Sequence, residues 1–139
     1  VCGKTLTLHG IVASVPHAIL FVENLEKFDV DCWGESIRHH RLFRPRGANA
    51  DFVKVRGKQL IEIRTYERGV EGETLACGTG ATASALVVAK LKGIRSPITV
   101  LTKGTERLKI YFRRNGNTFQ DVCLEGKVSK VFEGRVKDV

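Results

Sequence analysis

The order of apolar and polar positions divides the chain into strands, two helices and turns. Residues Lys4 to Ser14, KTLTLHGIVAS, are rich in β-branched side chains, and Thr5, Thr7 and His9 alternate roughly with Leu6, Leu8 and Gly10, which predicts a strand. A turn at Val15-Pro16 leads to a second strand over His17 to Val22, HAILFV, which ends in the acidic segment ENLEKFD. Asp31 to His40 predicts a short helix packed on the outside, with Asp29 or Asp31 as its cap and basic residues in its last turn. The run around Pro45 to Ala50 has turn composition and is expected to be a loop with Asn49 at its polar tip. DFVKV and KQLIEIRTY then alternate across Gly57-Lys58 as a hairpin. A glycine-bearing acidic connection, ERGVEGETLA, delivers the chain to Cys77.

From Cys77 to Gly93 the pattern changes. Ala81, Ala83, Ala85, Leu86, Val87, Val88 and Ala89 follow a Gly-Thr-Gly turn, with no charge before Lys90. A helix apolar on every side must be covered on every side, and this one is too short to span a bilayer. It is therefore expected to be a core helix wrapped by the chain's own sheet. Lys90 and Lys92 suit its negative end, Gly93 supplies the C′ position and Pro97 lies beyond. ITVLT, ERLKIYF, FQDVCL and KVSKVFEGRV then predict four more strands, with Asn115-Gly116 as a type I′ hairpin signal and Cys123 as a core residue between Val122 and Leu124.

Composition narrows the class. A chain of 139 residues fits one domain spanning residues 1–139, of the α+β class: a curled mixed or antiparallel sheet around a central apolar helix, with one short outer helix. No secretory or membrane-spanning run is present, so a cytoplasmic protein without membrane contact is expected. The net charge of +8 favours anionic partners. Its basic residues are scattered instead of forming a stripe with interleaved aromatics, so small anionic substrates are favoured over nucleic acid. Cys2, Cys32, Cys77 and Cys123 form no CxxC pair, and neither a metal site, a disulfide framework nor a cofactor is expected. The chain starts at Val1 and has no methionine, which suggests a piece of a longer product.

The chemistry is expected at the start of the core helix. Cys77 stands where the helix dipole favours a thiolate, and the amides of Gly78, Thr79 and Gly80 are placed to bind a carboxylate or phosphate. On these grounds Cys77 is expected to be the most reactive thiol and Cys123 a shielded one. Glu67 and Arg68 lie ten residues upstream, at the end of a strand that can deliver them to the same pocket. Together these groups suit an amino acid, with its carboxylate on the helix amides and its ammonium near Glu67. Spacing alone leaves equally open that Glu67 and Arg68 are a surface pair and that the glycines merely begin a helix.

The string YERGVEGETLACGTGATASA, Tyr66 to Ala85, resembles the second catalytic-cysteine motif of diaminopimelate epimerases. PHAILFVEN at Pro16 to Asn24 and RPRGANADFVKV at Arg44 to Val55 resemble two further motifs of that family. The resemblance covers nearly the whole chain but only the carboxyl half of the family, in which two similar halves, each a sheet curled around a helix, face each other across the substrate. It implies a half-site for interconverting LL- and meso-diaminopimelate, serving lysine and peptidoglycan precursor synthesis, with two cysteines and no cofactor or metal. Cys77 would be one of the two, the other belonging to the absent amino half. His17 and Glu67 match residues that assist the thiols, Gly78 and Thr79 match amides that hold the α-carboxylate, and Asn49 and Arg68 match residues that hold the distal end of the substrate. At Val15 the chain departs from the Asn that often precedes the Pro-His pair. The isolated chain is expected to be inactive unless it pairs as a homodimer. The competing readings are another cofactor-independent racemase, such as a proline racemase, and a structural or binding module.

Overall fold

The structure is a computed structural model that describes residues 5–137. Strands β1 (His9–Ala13) and β2 (Val15–Phe21) form a hairpin whose reversal is the single residue Ser14, at φ +64°. Val15 and Pro16 therefore lie in a strand and not in a turn. Pro16 is tolerated because β2 pairs there only with β1, and its pairing to the next strand begins at His17. The first strand is shorter than its alternation suggested, and Lys4 lies outside the described residues.

Helix α1 (Val30–Arg38) is capped by Asp29, whose carboxylate accepts from the Cys32 amide, and it ends before His39 and His40. A 3-10 turn (Arg41–Phe43) leads into β3 (Asn49–Val55), and β4 (Leu60–Glu67) returns antiparallel to it. Asn49 is the first residue of β3 and is buried, so it is not the exposed tip of a loop. The connection after β4 contributes β5 (Gly72–Thr74), which pairs back on Thr65 to Glu67. Helix α2 (Gly78–Lys92) has Cys77 as its N-cap and closes at Gly93, which is left-handed at φ +67°. The last strands are β6 (Ile98–Leu101), β7 (Arg107–Asn115) and β8 (Thr118–Glu125). The β7–β8 turn residues are Gly116 and Asn117, with positive φ at Gly116 and not at Asn117, a type II′ pattern instead of the expected I′.

The sheet runs β1-β2-β3-β4-β6-β7-β8, with β5 on the far half of the β4 edge. Two steps in it are parallel, β2 to β3 through α1 and β4 to β6 through α2. Both steps move the same way across the sheet, but β3 and β4 are antiparallel, so the two crossovers start from strands of opposite direction. Crossovers of one hand then put their helices on opposite faces. α1 covers the outer face of β3 and β4, and α2 lies in the concave face against β1 to β4 and β6 to β8.

This arrangement explains the two apolar patterns. In β2 to β4 both faces are covered: Ile19, Val53, Ile61 and Ile63 point inward to α2, while Ala18, Leu20, Ala50, Phe52 and Tyr66 lie under α1. Gly34 lets α1 approach β4, since a Cβ there would fall 2.3 Å from the Cβ of Tyr66. α2 is buried from Gly80 to Ala89 apart from Thr82, in keeping with its lack of a polar face. No helix among the described residues is long and apolar enough to cross a membrane.

Two expectations at the carboxyl end are corrected. β8 is an edge strand with one neighbour, and Cys123 on it is exposed, so its apolar flanks do not place it in the core. KVSKVFEGRV forms no strand over its residues 127–136, and Val128, Val131, Phe132 and Val136 are exposed.

Candidate functional site

Inward-facing positions in β2, β3 and β4 change character along the strands. Near the carboxyl end of α2 they are isoleucine and valine, whereas near its amino end they are His17, Asn49, Asp51, Thr65 and Glu67. Period-two alternation puts these polar side chains on one face, and register makes His17 the neighbour of Asn49 and Asp51 that of Thr65.

The most deeply buried of them form a chain of hydrogen bonds. Thr65 Oγ1 donates to Asp51 Oδ1 over 2.8 Å, and Asp51 Oδ2 lies 2.7 Å from His17 Nδ1, with both side chains of the latter pair fully buried. The other ring nitrogen, Nε2 of His17, is buried with no partner among the described residues. The first turn of α2 packs directly on this chain: a Cβ on Gly80 would lie 2.4 Å from Asp51 Oδ1 and 3.1 Å from Thr65 Oγ1.

Cys77 is buried, at 6% exposure, and its Sγ accepts from the Gly80 amide over 3.4 Å and lies 3.5 Å from Thr79 Oγ1. Burial pushes the thiol above its ordinary pKa, the Thr79 hydroxyl and Gly80 amide pull it down, and the carboxylates of Asp51 and Glu67 push it up again. The expected lowering by the helix terminus is thus outweighed. The exposed thiols are Cys32 and Cys123, so Cys123 is not shielded as expected and Cys77 is more buried than either; Cys2 lies outside the described residues. The Gly80 amide is taken by sulfur, which leaves Gly78 and Thr79 as the first-turn amides for an external acceptor.

Glu67 ends β4 half-buried, with Oε1 accepting from Thr74 Oγ1 of β5. Arg68 follows on the same strand end, its amide donating to Asn49 Oδ1 over 2.8 Å and its Nη1 reaching the Arg46 carbonyl at 3.5 Å. Each has its own partners, so the surface-pair reading of Glu67 and Arg68 is not what the structure contains. Asn49 ties the starts of β3 and the β4–β5 turn together through its side-chain oxygen. All the residues singled out in the sequence therefore lie at the amino end of α2 or on the strand ends beside it. Asp51 was missed because an acid in an alternating strand reads as solvent-facing. Its parity with Asn49 and Val53 was the available signal.

A buried thiol flanked by carboxylates, an imidazole with one unoccupied nitrogen and a helix amino end can exchange protons beside an anion. Among the described residues no group of His, Cys, Asp and Glu is arranged to hold a metal ion.

The model of the diaminopimelate epimerase family matches residues 11–131. A diaminopimelate epimerase of Aquifex aeolicus (strain VF5) is 46% identical over 144 residues, covering 97% of this chain and 50% of that protein. One from Hydrogenobaculum sp. (strain Y04AAS1) is 43% identical over 130 residues, covering 91% of this chain and 45% of that protein. The chain spans about half the length of these curated relatives. Among solved structures, a phenazine biosynthesis PhzF family protein of Enterococcus faecalis aligns with a TM-score of 0.52 at 17% identity, covering 71% of this chain and 34% of that one, a likeness of fold alone.

Proposed function

This chain belongs to the diaminopimelate epimerase family, and from that membership we propose that it is the carboxyl-terminal half-site of an epimerase that inverts an α-carbon of diaminopimelate with two cysteines. The observation that carries the reading is the gathering of Cys77, His17, Glu67, Asn49 and Arg68 at one end of a buried helix, next to the first-turn amides of Gly78 and Thr79.

Inversion needs a base on one face of the α-carbon and an acid on the other. The thiolate of one cysteine takes the α-proton, the electron pair stays on the carbon as a carbanion, and the opposing thiol delivers its own proton to the other face. One cysteine ends as thiol and the other as thiolate, so the reverse reaction exchanges their roles. Cys77 is one member, and the amino half absent from this chain supplies the other. Amides of Gly78 and Thr79 hold the α-carboxylate and stabilise the charge that spreads onto it. His17 and Glu67 assist proton exchange at the thiols, while Asn49 and Arg68 hold the distal amino acid end.

The raised thiol pKa fits this role. A cysteine held protonated by burial is a competent acid until substrate arrives, and the partner thiolate acts as base in the same cycle. With only one of its two acid/base groups, the isolated chain does not invert the substrate at an appreciable rate. Assaying the full-length protein with diaminopimelate, proline and histidine tests the substrate class. Inversion of diaminopimelate alone is expected, and inversion of proline in its place would assign the chain to another cofactor-independent racemase.

A further inference from the structure

Among the described residues Asp51 is the one fully buried acid, and it plays no part in the two-cysteine scheme. Both of its oxygens are engaged as acceptors, Oδ1 from the Thr65 hydroxyl and Oδ2 toward His17 Nδ1. A carboxylate oxygen can only accept, so in its contact with Asp51 the donor is Nδ1–H of His17. The tautomer of a histidine is set by the bond its other nitrogen makes. With Nδ1–H committed to Asp51, neutral His17 must present a lone pair at Nε2, the atom that is buried and without a partner among the described residues. Buried polar groups as a rule find a partner, and unlike the other unpartnered buried groups Nε2 belongs to a side chain that matches the family's catalytic set, which points to an external partner for it.

The backbone is shaped around the same carboxylate. Gly80 in the first turn of α2 has no room for a side chain because Asp51 Oδ1 occupies that place, and Cys77 borders the same gap, its Cβ 3.3 Å from where the Gly80 Cβ would be. The carboxylate is therefore held between the imidazole and the turn that carries the thiol.

We infer that Asp51 is a positioning residue for proton exchange: anchored by Thr65, it holds neutral His17 as the Nδ1–H tautomer, so that Nε2 stands ready as an acceptor beside the amino end of α2. This rests on the reading of the chain as an epimerase half-site, and its test is separable from that reading.

The first measurement is a long-range proton–nitrogen correlation spectrum of the imidazoles in the 15N-labelled chain, at a pH where histidines are neutral. The expected result is a proton on Nδ1 and a lone pair on Nε2 of His17, and the opposite tautomer would overturn the inference without any variant being made. The second compares Asp51→Asn, which keeps an acceptor oxygen of the same size, with Asp51→Leu, which keeps none, in the full-length enzyme. With diaminopimelate, kcat is expected to fall about ten- to a hundredfold in Asp51→Leu and less in Asp51→Asn, with KM within about twofold of the parent. A folded Asp51→Leu enzyme with parental kcat would refute the positioning role. If the parent itself does not epimerise diaminopimelate, the functional reading fails, while the tautomer still decides what Asp51 does to His17.

Discussion

Gly80→Ala sets two effects of opposite sign against each other. Helix propensity favours alanine by up to about 1 kcal/mol, and Gly80 is the third residue of α2. Against that, the new Cβ would stand 2.4 Å from Asp51 Oδ1, inside any permitted contact. Asp51 cannot swing aside freely, because its oxygens are held by Thr65 and His17 and its side chain is fully buried. Either the turn backs away, at an overpacking cost of about 1–3 kcal/mol, or a hydrogen bond to a charged group is lost, at about 1.5–3 kcal/mol. Net destabilisation of about 1–2 kcal/mol follows, which for a chain of this size lowers Tm by about 5 °C. The assay is urea unfolding of the parent, Gly80→Ala, Asp51→Ala and the double variant. In the Asp51→Ala background the methyl group no longer meets a carboxylate, so Gly80→Ala is expected to become nearly neutral, a coupling of about 1–2 kcal/mol. A stabilised Gly80→Ala single variant, or equal costs in both backgrounds, would refute the packing argument.

Three further outcomes follow from the same structure. Brief alkylation of the native chain near neutral pH should label the exposed Cys32 and Cys123 before the buried Cys77, as read by mass-spectrometric mapping, and labelling of Cys77 should accelerate as pH rises above the ordinary thiol range. Glu73 is shielded from water, which by itself raises its pKa, but bonds from Arg64 and Lys103 outweigh this and hold it below the ordinary carboxylate value. Its contribution to stability is present above the unfolded-state pKa and lost as pH falls through the lower folded value, so acid unfolding curves of Glu73→Gln should be flatter than the parent's below about pH 4.5, with a loss of about 2–3 kcal/mol at neutral pH because Arg64 is left without its carboxylate. Ser84 is fully buried in α2 with its hydroxyl unpartnered among the described residues, and Ser84→Ala should raise stability by about 1 kcal/mol in thermal unfolding.

What could be read directly from the residues was whatever a single element decides for itself. α2 declared its burial because no polar face interrupts Ala81 to Ala89, and its ends were legible in Cys77 and in Gly93. The hairpin of β3 and β4 was equally local, and the cap of α1 was narrowed to Asp29 or Asp31, of which Asp29 serves. Features that depend on where the sheet stops were not. Val122-Cys123-Leu124 has the composition of a core strand but lies on an edge, and the apolar residues of 127–136 find no partner strand among the described residues. At the site, Cys77, Glu67 and Arg68 stood out by chemical type and His17 and Asn49 through family motifs. The Asp51–His17 pair was invisible because it joins positions 34 residues apart. The sign of the Cys77 shift was also misjudged, since position at a helix terminus is local whereas burial and two neighbouring carboxylates are products of the fold.

The central claim is that Cys77 is one of two opposed acid/base groups and that the second lies outside this chain. Its most direct test is to follow deuterium incorporation at the α-carbon and stereochemical inversion of diaminopimelate together, for the full-length protein, for this chain alone across protein concentrations, and for Cys77→Ser in each. Full-length protein should invert the substrate with solvent deuterium incorporated, and Cys77→Ser should abolish inversion. The isolated chain should show at most slow exchange, with inversion appearing only if concentration drives two copies together. Robust inversion by the dilute isolated chain that survives Cys77→Ser would contradict both the half-site and the role given to this thiol.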